Sequence, residues 1–284
     1  MGDTLQAIHK ASYQGDHPGN DPFRLIRIRD VAAIADAERL TPAQVEIMAL
    51  EAGIVPTRYV RNMAAMDCRD QIRLLSSTAA VIGLGGLGGY AAQTLARSGV
   101  GRLVLIDGDA FEQTNLNRQN FCNNHTLGEN KAEAAAEGIG AINPSVQVAF
   151  EGVCLDKDNA ADILKGADVI LDCLGGLDTR VILQKAAQRL GIPLVSAALA
   201  GFSGHVTTVY PGDQGLFPLM GMEEDSTGGG VELDLGCPCP PVSMAASLQC
   251  SEAIKVLTGK GQTLQNKILA FDLLDNTFQI LNLA

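Results

Sequence analysis

The hydrophobic residues of this 284-residue chain fall into short apolar runs separated by longer stretches with helical spacing. Apolar runs of this kind predict buried strands, and the stretches between them predict helices. The predicted strands are 79–82, 104–106, 146–150, 169–171 and 194–197, and the predicted helices are 90–98, 132–142, 160–164 and 179–190. Strands that alternate with helices predict an α/β fold with a doubly wound, mainly parallel, Rossmann-like sheet.

The pattern changes towards the C-terminus. Residues 205–210 alternate apolar and polar side chains, which predicts an antiparallel strand. Two further runs, 268–272 and 277–281, predict a terminal hairpin, and a long helix is predicted at 242–257. The acidic, Gly-rich stretch 222–236 predicts a loop. The sheet is therefore expected to end in C-terminal antiparallel strands.

The beginning of the chain predicts a small helical N-terminal appendage. Residues 1–24 contain the Gly, Pro, Asn and Asp residues typical of a mobile leader, and 30–40 has a helical pattern. Thr41, followed by a proline, is the predicted N-cap of a second helix. Packing, dimerisation and docking of a partner all remain open as roles of this part. The predicted domains are the appendage, 1–57, and a main domain, 58–284.

A Gly-x-Gly-x-x-Gly turn follows the first predicted strand of the sheet. Gly83 permits a tight turn, Gly85 lets the backbone approach phosphate oxygens, and Gly88 lets the next helix pack closely. The N-terminus of that helix attracts anions. Asp107 ends the second strand, where a carboxylate can accept hydrogen bonds from ribose hydroxyls. The pattern predicts nucleotide binding, and the alternative is a Gly-rich packing turn without a ligand.

Composition narrows the possible partners. The net charge of −11 argues against binding to a nucleic-acid backbone, which needs a basic face. No apolar run approaches membrane-spanning length, and the first residues do not form a signal peptide. The seven scattered cysteines fit free thiols in a reducing compartment. The sequence therefore predicts a cytoplasmic protein without nucleic-acid or membrane partners.

Several further motifs lie in order around the glycine turn. They are Arg58-Tyr59-Val60-Arg61-Asn62, Asp107-Gly108-Asp109, Asn115-Leu116-Asn117-Arg118-Gln119, the segment from Gly128 to Lys131, Ile142-Asn143-Pro144 and Ser247-Leu248-Gln249. With these motifs the chain resembles the ThiF, MoeB and HesA family of adenylating enzymes and, more distantly, ubiquitin-activating enzymes. The resemblance covers about residues 58–284.

The resemblance implies an ATP-dependent adenylyltransferase. Such an enzyme uses ATP and Mg²⁺ to activate the C-terminal glycine of a small ubiquitin-like sulfur-carrier protein, of the ThiS or MoaD type, as an acyl-adenylate. The carrier ends in Gly-Gly and serves thiamine, molybdopterin or related sulfur pathways. Family resemblance also implies a homodimer.

The resemblance assigns roles to individual residues. Arg61 is expected to reach the ATP of the neighbouring subunit, and Arg118 and Lys131 are expected at the exposed mouth of the pocket, on the phosphates. These three are the predicted catalytic residues. The predicted cofactor-binding residues are Gly83, Gly85, Gly86, Gly88, Asp107, Asp109, Asn115, Arg118, Lys131 and Gly175.

The chain departs from the family at the magnesium ligand. Where the family carries Asp-Asn, this chain has Gly175-Gly176. Asp178 is the predicted metal ligand, with Asp172 as the next candidate. The alternative for Asp178 is a helix cap, since Asp caps helices well.

The cysteines also depart from the family. Many members hold a structural zinc on two Cys-x-x-Cys pairs, but 211–221 contains no cysteine and Cys237-Pro238-Cys239 has the wrong spacing. A closed zinc site needs four ligands, so no zinc is predicted. Glu232 lies near the position of the reactive cysteine of some relatives, which leaves Cys237 and Cys239 as open candidates.

Two other functions fit the same fold. One is a nicotinamide-dependent oxidoreductase, although the stretch 115–118 and Lys131 suit a triphosphate better than a dinucleotide. The other is a non-catalytic nucleotide-binding scaffold, suggested by Gly175 and the missing cysteine.

Overall fold

A computed structural model describes residues 2–15, 23–217 and 232–283. Short 3₁₀ helices at Thr57–Asn62 and Gln113–Asn115 accompany the regular elements. In chain order these elements are α1 (Gly2–Ala11), β1 (Tyr13–Gly15), β2 (Phe23–Ile26), α2 (Ile28–Glu38), α3 (Pro42–Glu51), β3 (Ile54–Pro56), α4 (Cys68–Leu75), β4 (Thr78–Ile82), α5 (Gly86–Ser98), β5 (Arg102–Ile106), α6 (Lys131–Ile142), β6 (Gln147–Glu151), α7 (Ala160–Leu164), β7 (Val169–Asp172), α8 (Leu177–Leu190), β8 (Leu194–Ala200), β9 (Ser203–Val209), α9 (Glu232–Leu235), α10 (Cys239–Thr258), β10 (Lys267–Asp272) and β11 (Thr277–Asn282).

The larger sheet of the described chain has eight strands in the order β11-β10-β9-β8-β7-β4-β5-β6. Strands β6, β5, β4, β7 and β8 are parallel, with Val81 opposite Leu105 on one side and Leu171 on the other. Strands β9, β10 and β11 continue the sheet in antiparallel fashion. The predicted fold class is confirmed, including its antiparallel C-terminal strands.

The core lies on both faces of this sheet, because successive side chains of a strand point to opposite faces. On β4, Ala79 and Val81 pack in a cluster with α5, α6 and α10. Ala80 and Ile82 pack in a second cluster with α7 and α8. A strand that is buried on both faces explains why the sequence shows continuous apolar runs at these strands.

The N-terminal part is more ordered than the predicted mobile leader, and that prediction is wrong for the residues described. Residues 2–11 form helix α1, in which Ile8 is completely buried. Strand β1 pairs antiparallel with β2, and β2 pairs parallel with β3. These short strands lack an alternating pattern and depend on pairing with residues distant in the chain. The predicted loop 222–236 lies largely outside the described residues.

The observed N-termini of the helices show which local sequence signals were sufficient to predict where a helix begins. Thr41 caps α3 in a capping box with Gln44, as its prediction requires. Helix α5 begins at Gly86, four residues before the predicted start, because three of its first four residues are glycines, whose low helix propensity hides the start of the helix in the sequence. Helix α4, capped by Asp67, was not predicted. None of the described helices combines the length and hydrophobicity that crossing a bilayer requires.

Candidate active site

A cavity of about 500 Å³ lies beyond the carboxyl ends of β4, β5 and β7. The chain runs from β4 outwards to β6 and then returns to β7 on the other side of β4, so this edge is a topological switch point. Ligands of open α/β sheets bind at such points. The residues discussed below that line the cavity are Gly83, Gly85, Gly86, Asp107, Asp109, Arg118, Gln119, Lys131, Cys173, Gly175, Gly176, Arg180, Ala198, Cys237 and Val242.

Two glycines of the turn are required by the protein's own packing. Gly83 has a φ of +89°, and a Cβ there would lie 2.8 Å from the carbonyl oxygen of Cys173. A Cβ on Gly88 would lie 1.7 Å from the carbonyl oxygen of Gly83. Neither position tolerates a side chain, so the turn keeps its shape and α5 starts close to the sheet.

Gly85 is different, because the protein leaves room beside it. The nearest atom to a Cβ at this position is Nε2 of Gln119, at 3.6 Å, which is an ordinary contact. Gly86, the first residue of α5, is packed more tightly, since its Cβ would lie 2.8 Å from Cγ1 of Val242. Bare backbone at the start of a 13-residue helix therefore borders the cavity at Gly85. This geometry fits a phosphate group approaching the helix N-terminus.

The carboxylate of Asp107 is fixed against the turn at the end of β5. Its Oδ2 accepts a hydrogen bond from the backbone N–H of Leu84 at 2.6 Å, and Oδ1 accepts from the backbone N–H of Asp109 at 2.9 Å. Burial raises the pKa of Asp107, and these backbone donors and nearby Lys131 oppose the rise. The side chain is thus held rigidly in a position that suits a ribose hydroxyl.

Lys131 is held inside the cavity rather than at an exposed mouth, so the predicted exposure is wrong. It is the first residue of α6, which Asn130 caps, and only 7% of its surface is exposed. Its amino group lies 2.9 Å from Oδ2 of Asp109. Because a buried charge needs a partner, this carboxylate lets the lysine stay charged in the cavity.

Arg118 reaches the cavity from the polar segment after β5. It is half-buried, and its Nη1 donates to the carbonyl oxygen of Thr114 at 2.9 Å and to Oδ1 of Asn117 at 2.8 Å. Asn115 does not line the cavity, because its Oδ1 accepts from the backbone N–H of Glu112 at 3.0 Å. Arg118 and Lys131 are brought together with the glycine turn, whereas Asn115 shapes the loop that carries Arg118.

Asp178 and Arg61 lie outside the cavity lining. The carboxylate of Asp178 is exposed and accepts from the backbone N–H of Thr179 at 2.8 Å, in the first turn of α8. This placement does not support the predicted metal role. Gly175, where the family carries its aspartate, does line the cavity. Arg61 is exposed on the 3₁₀ helix that precedes α4.

Asp172, the alternative metal ligand, is already occupied. It is completely buried, and Nε of Arg180 lies 3.1 Å from Oδ1 and 2.9 Å from Oδ2. Ser196 donates to Oδ2 at 2.8 Å as well. With a cation and a hydroxyl on its oxygens, Asp172 orients Arg180 towards the cavity wall rather than binding a metal ion.

Of the two cysteine candidates, Cys237 lines the cavity and Cys239 does not. Sγ of Cys239, at the start of α10, lies 3.2 Å from the hydroxyl oxygen of Tyr90. The side chain of Glu232 lies outside the described part of the chain. Within the described residues, no three His, Cys, Asp or Glu side chains come together as a metal site.

Gln119 is a further candidate that the sequence did not single out. It is 7% exposed, it lines the cavity beside Gly85, and its Oε1 has no hydrogen-bond partner among the described residues. Leaving a buried amide oxygen without a donor costs about 1–3 kcal/mol, so an unpaired carboxamide beside a cavity fits contact with a ligand. Its place at the end of the motif 115–119, directly after Arg118, was the signal in the sequence.

The site combines a cavity at the topological switch point with the glycine turn, a fixed carboxylate and enclosed cations. This combination defines a nucleotide-binding α/β protein. The model of the ThiF family matches residues 59–284. The chain therefore belongs to the ThiF family. It is 37% identical over 230 residues to a SAMP-activating enzyme E1 of Haloferax volcanii. The alignment covers 78% of this chain and 83% of that protein.

Other relatives are longer than this chain. It is 36% identical over 222 residues to the adenylyltransferase and sulfurtransferase MOCS3 of Drosophila grimshawi, with 76% of this chain and 49% of that protein covered. The MOCS3 protein of Mus musculus is 35% identical over 240 residues, with 80% and 50% covered. The chain thus spans about half the length of these MOCS3 relatives.

Solved structures share the fold. A structure of Escherichia coli MccB with ATP aligns with a TM-score of 0.68 and 19% identity over 99% of this chain and 87% of that one. A structure of PaaA aligns with a TM-score of 0.64 and 22% identity over 87% of this chain and 73% of that one.

The predicted family is confirmed, and the chain is an adenylyltransferase of the ThiF type. Enzymes of this type use ATP. The alternative of a nicotinamide-dependent oxidoreductase receives no support from these relatives. The roles of individual site residues, and the boundary between 57 and 58, remain predictions.

Proposed function

We propose that the chain binds ATP with Mg²⁺ in the cavity and activates the C-terminal glycine of a small ubiquitin-like sulfur-carrier protein. The carrier's carboxylate oxygen attacks the α-phosphorus, and the bond from that phosphorus to the oxygen bridging to the β-phosphorus breaks. The products are a carrier acyl-adenylate and pyrophosphate. The relatives' names support this reaction, since one activates SAMP and others combine adenylyl transfer with sulfur transfer.

One observation carries the proposal: a carboxylate fixed by backbone amides and two cations border the same glycine turn. In this proposal Asp107 accepts from a ribose hydroxyl, and the backbone at Gly85 and Gly86 faces the phosphates. Lys131 and Arg118 neutralise charge that develops on the leaving pyrophosphate. Positioning and charge neutralisation provide most of the catalysis in transfers of this class.

Mg²⁺ is proposed to enter with the phosphates, because it is usually held by one or two carboxylates together with substrate phosphates. With glycine at 175, the carboxylates that line the described cavity are those of Asp107 and Asp109. Asp107 is fixed against the turn, whereas 69% of the Asp109 side chain is exposed. Asp109 is therefore the residue we propose to hold the ion, which would supply further charge neutralisation.

The cavity wall also suits a Gly-Gly tail. Gly175, Gly176 and Ala198 line it, so little side-chain bulk narrows the path to the α-phosphate. A peptide without side chains is the substrate end that such a wall would accept most easily.

We further propose a homodimer with shared sites, in which Arg61 contributes to the ATP site of the other copy. Arg61 is exposed and has no hydrogen bond or ion pair within the described residues. The cytoplasm is the proposed location, because all seven cysteines are free thiols. No structural zinc is included, since Cys237 and Cys239 offer two ligands where a closed site needs four.

The test is ATP–pyrophosphate exchange with a candidate carrier that ends in Gly-Gly. We expect exchange with this carrier and none with the same carrier lacking its last glycine. A parallel assay follows nicotinamide absorbance with small alcohols and acids. Absence of exchange with every candidate carrier, together with nicotinamide turnover, would overturn the proposal. Tight ATP binding without any exchange would instead favour the non-catalytic scaffold.

A further inference from the structure

The 3₁₀ helix Thr57–Asn62, which carries Arg61, does not hold its own shape strongly. Hydrogen bonds of 3₁₀ helices have poor geometry, and such helices are short for that reason. A six-residue 3₁₀ helix on the surface therefore depends on contacts with the rest of the chain. Three buried polar side chains provide these contacts: two lie on helices α3 and α4, and the third lies directly after α6.

The first contact is Glu46 of α3, which has no exposed surface. Its Oε1 lies 3.4 Å from Nε of Arg58, and its Oε2 accepts from the hydroxyl of Tyr59 at 3.3 Å. Arg58 has only 11% of its side chain exposed, and Tyr59 is completely buried. Oε1 of Glu46 and Nε of Arg58 lie within ion-pair distance but have no hydrogen-bond partner among the described residues. The two groups are therefore held by opposite charge in a buried place, where removing either one would leave the other without a counter-charge.

The second contact is Asn143, the C-cap residue directly after α6. Its Nδ2 donates to the hydroxyl of Tyr59 at 3.1 Å and to the carbonyl oxygen of Ala96 at 2.9 Å. Its Oδ1 accepts from Nη1 of Arg58 and from the backbone N–H of Ser145. Asn143 thus joins the same two residues, Arg58 and Tyr59, to the main sheet domain.

The third contact fixes the other end of the 3₁₀ helix. Nδ2 of Asn62 donates to Oε1 of Gln71 at 3.1 Å. Gln71, on α4, is completely buried and donates to the carbonyl oxygen of Ser98 at 2.9 Å. Residues on both sides of Arg61 are therefore tied to the core, while the arginine itself is exposed.

We infer that Glu46 is a positioning residue for Arg61. By holding Arg58 and Tyr59, it fixes the direction in which Arg61 leaves the surface towards the ATP site of a second copy. Glu46 lies before the region that the family model matches, residues 59–284. The N-terminal part of one copy thereby contributes to catalysis at the site of the other copy. This inference rests on the proposed function.

The test uses hybrid dimers made from two differently tagged chains and purified on both tags in turn. One chain carries Arg61→Ala and the other carries Lys131→Ala, so one of the two sites keeps an intact cavity and an intact arginine. Glu46→Gln is then placed either in the chain that donates Arg61 or in the chain whose Arg61 is already alanine. Each hybrid is assayed by ATP–pyrophosphate exchange.

We expect the kcat of the hybrid to fall about tenfold when Glu46→Gln is in the donating chain, because a misplaced group loses much of its catalytic effect. In the other chain the same change should alter kcat less than about twofold, because no arginine there remains to be positioned. A purely structural loss would be equal in both placements. Equal losses, or no loss in either, would overturn the inference.

Two controls complete the design. Glu51→Gln, at the exposed end of the same helix, should have no effect in either chain. If Glu46→Gln does not yield folded dimer, Glu46→Asp, which keeps the charge and shortens the reach, should show the same asymmetry. A parent hybrid without exchange, beside an active wild-type dimer, would overturn both the shared site and the inference, whereas equal losses overturn the inference alone.

Discussion

Lys131 and Arg61 are both cations that the chain keeps in a defined place, but their surroundings are opposite. Lys131 is 7% exposed, and its amino group lies 2.9 Å from Asp109 inside the cavity. Arg61 is exposed, and only the residues beside it are anchored. Lys131 therefore has an ion-pair partner in its own chain. Arg61 has none among the described residues, although the residues near it are held in place by hydrogen bonds.

This difference separates two ways of losing activity. A substitution in the cavity should disable the site of the chain that carries it. A substitution in the 3₁₀ helix Thr57–Asn62 or its anchors should disable the site of the other chain. The predictions that follow test each side of this comparison.

The largest effect is expected for Lys131 and Arg118, the cations proposed to contact the phosphates. Lys131→Ala and Arg118→Ala should each lower ATP–pyrophosphate exchange about thirty- to a thousandfold, since losing one preorganised charge contact costs about 2–4 kcal/mol in the transition state. Thermal unfolding should change little, because Asp109, the partner of Lys131, is largely exposed. Lys157→Ala, an exposed lysine, is the matched control. Near-normal exchange in both cavity variants would contradict their assignment.

A smaller loss is expected for the unpaired carboxamide in the cavity. Gln119→Leu should raise the KM for ATP about tenfold, which corresponds to one hydrogen bond to the ligand. The free energy of unfolding should stay the same or rise, because an unpaired buried amide is replaced by an apolar side chain. Exchange rates at varied ATP concentration and chemical denaturation measure the two quantities. A loss of stability with unchanged KM would show that Gln119 serves the fold alone.

The magnesium site can be tested at two positions other than Asp109, the proposed ligand. Asp178→Asn should change exchange at limiting Mg²⁺ less than about twofold, since its carboxylate faces solvent and lies outside the cavity lining. Gly175→Asp should lower the Mg²⁺ concentration needed several-fold, because it adds an anionic oxygen to the cavity wall. A large loss in Asp178→Asn would restore the original prediction for that residue.

The smallest expected effect is the pH dependence of stability contributed by Glu46, the residue inferred to position Arg61. Burial is the largest influence on Glu46 and raises its pKa above 4.5, against the lowering by Arg58, Ser145 and Tyr59. A carboxyl group whose pKa is higher in the folded state stabilises the fold below its unfolded pKa, and this contribution is lost as the pH rises through the folded pKa. Glutamine does not titrate. The stability of wild type relative to Glu46→Gln should therefore decline as the pH rises above 4.5.

Denaturant titrations of both proteins over that range measure this difference. Glu51→Gln again serves as the control, because Glu51 is exposed. If the stability of wild type relative to Glu46→Gln instead increased with rising pH, the attraction of Arg58 would have a larger effect on the pKa of Glu46 than burial has.

The sequence predicted those parts of the molecule that depend on local signals. The glycine turn, Asp107 and the strands around them follow from a short contiguous pattern, and their positions in the structure agree with it. The antiparallel strand β9 was predicted from the alternation of residues 205–210, and β10 and β11 were predicted as a terminal hairpin. Thr41 was identified as a cap from a few neighbouring residues.

What the sequence missed depends on contacts between distant residues. Strand β2 pairs with β3 some thirty residues later, and neither has an alternating pattern. The burial of Lys131 depends on Asp109, and the anchoring of Arg58 depends on Glu46 and Asn143. The metal prediction assumed that Asp178 faces the cavity, but the first turn of α8 directs it to solvent.

The most direct test of the central claim is mass spectrometry of the carrier after incubation with the enzyme, ATP and Mg²⁺. We predict a carrier whose mass has increased by one adenylyl group, formed together with pyrophosphate. Hydroxylamine should release that group, since it attacks an acyl-adenylate. A carrier of unchanged mass under conditions where ATP is bound, or an adenylyl group on an internal side chain, would contradict the account.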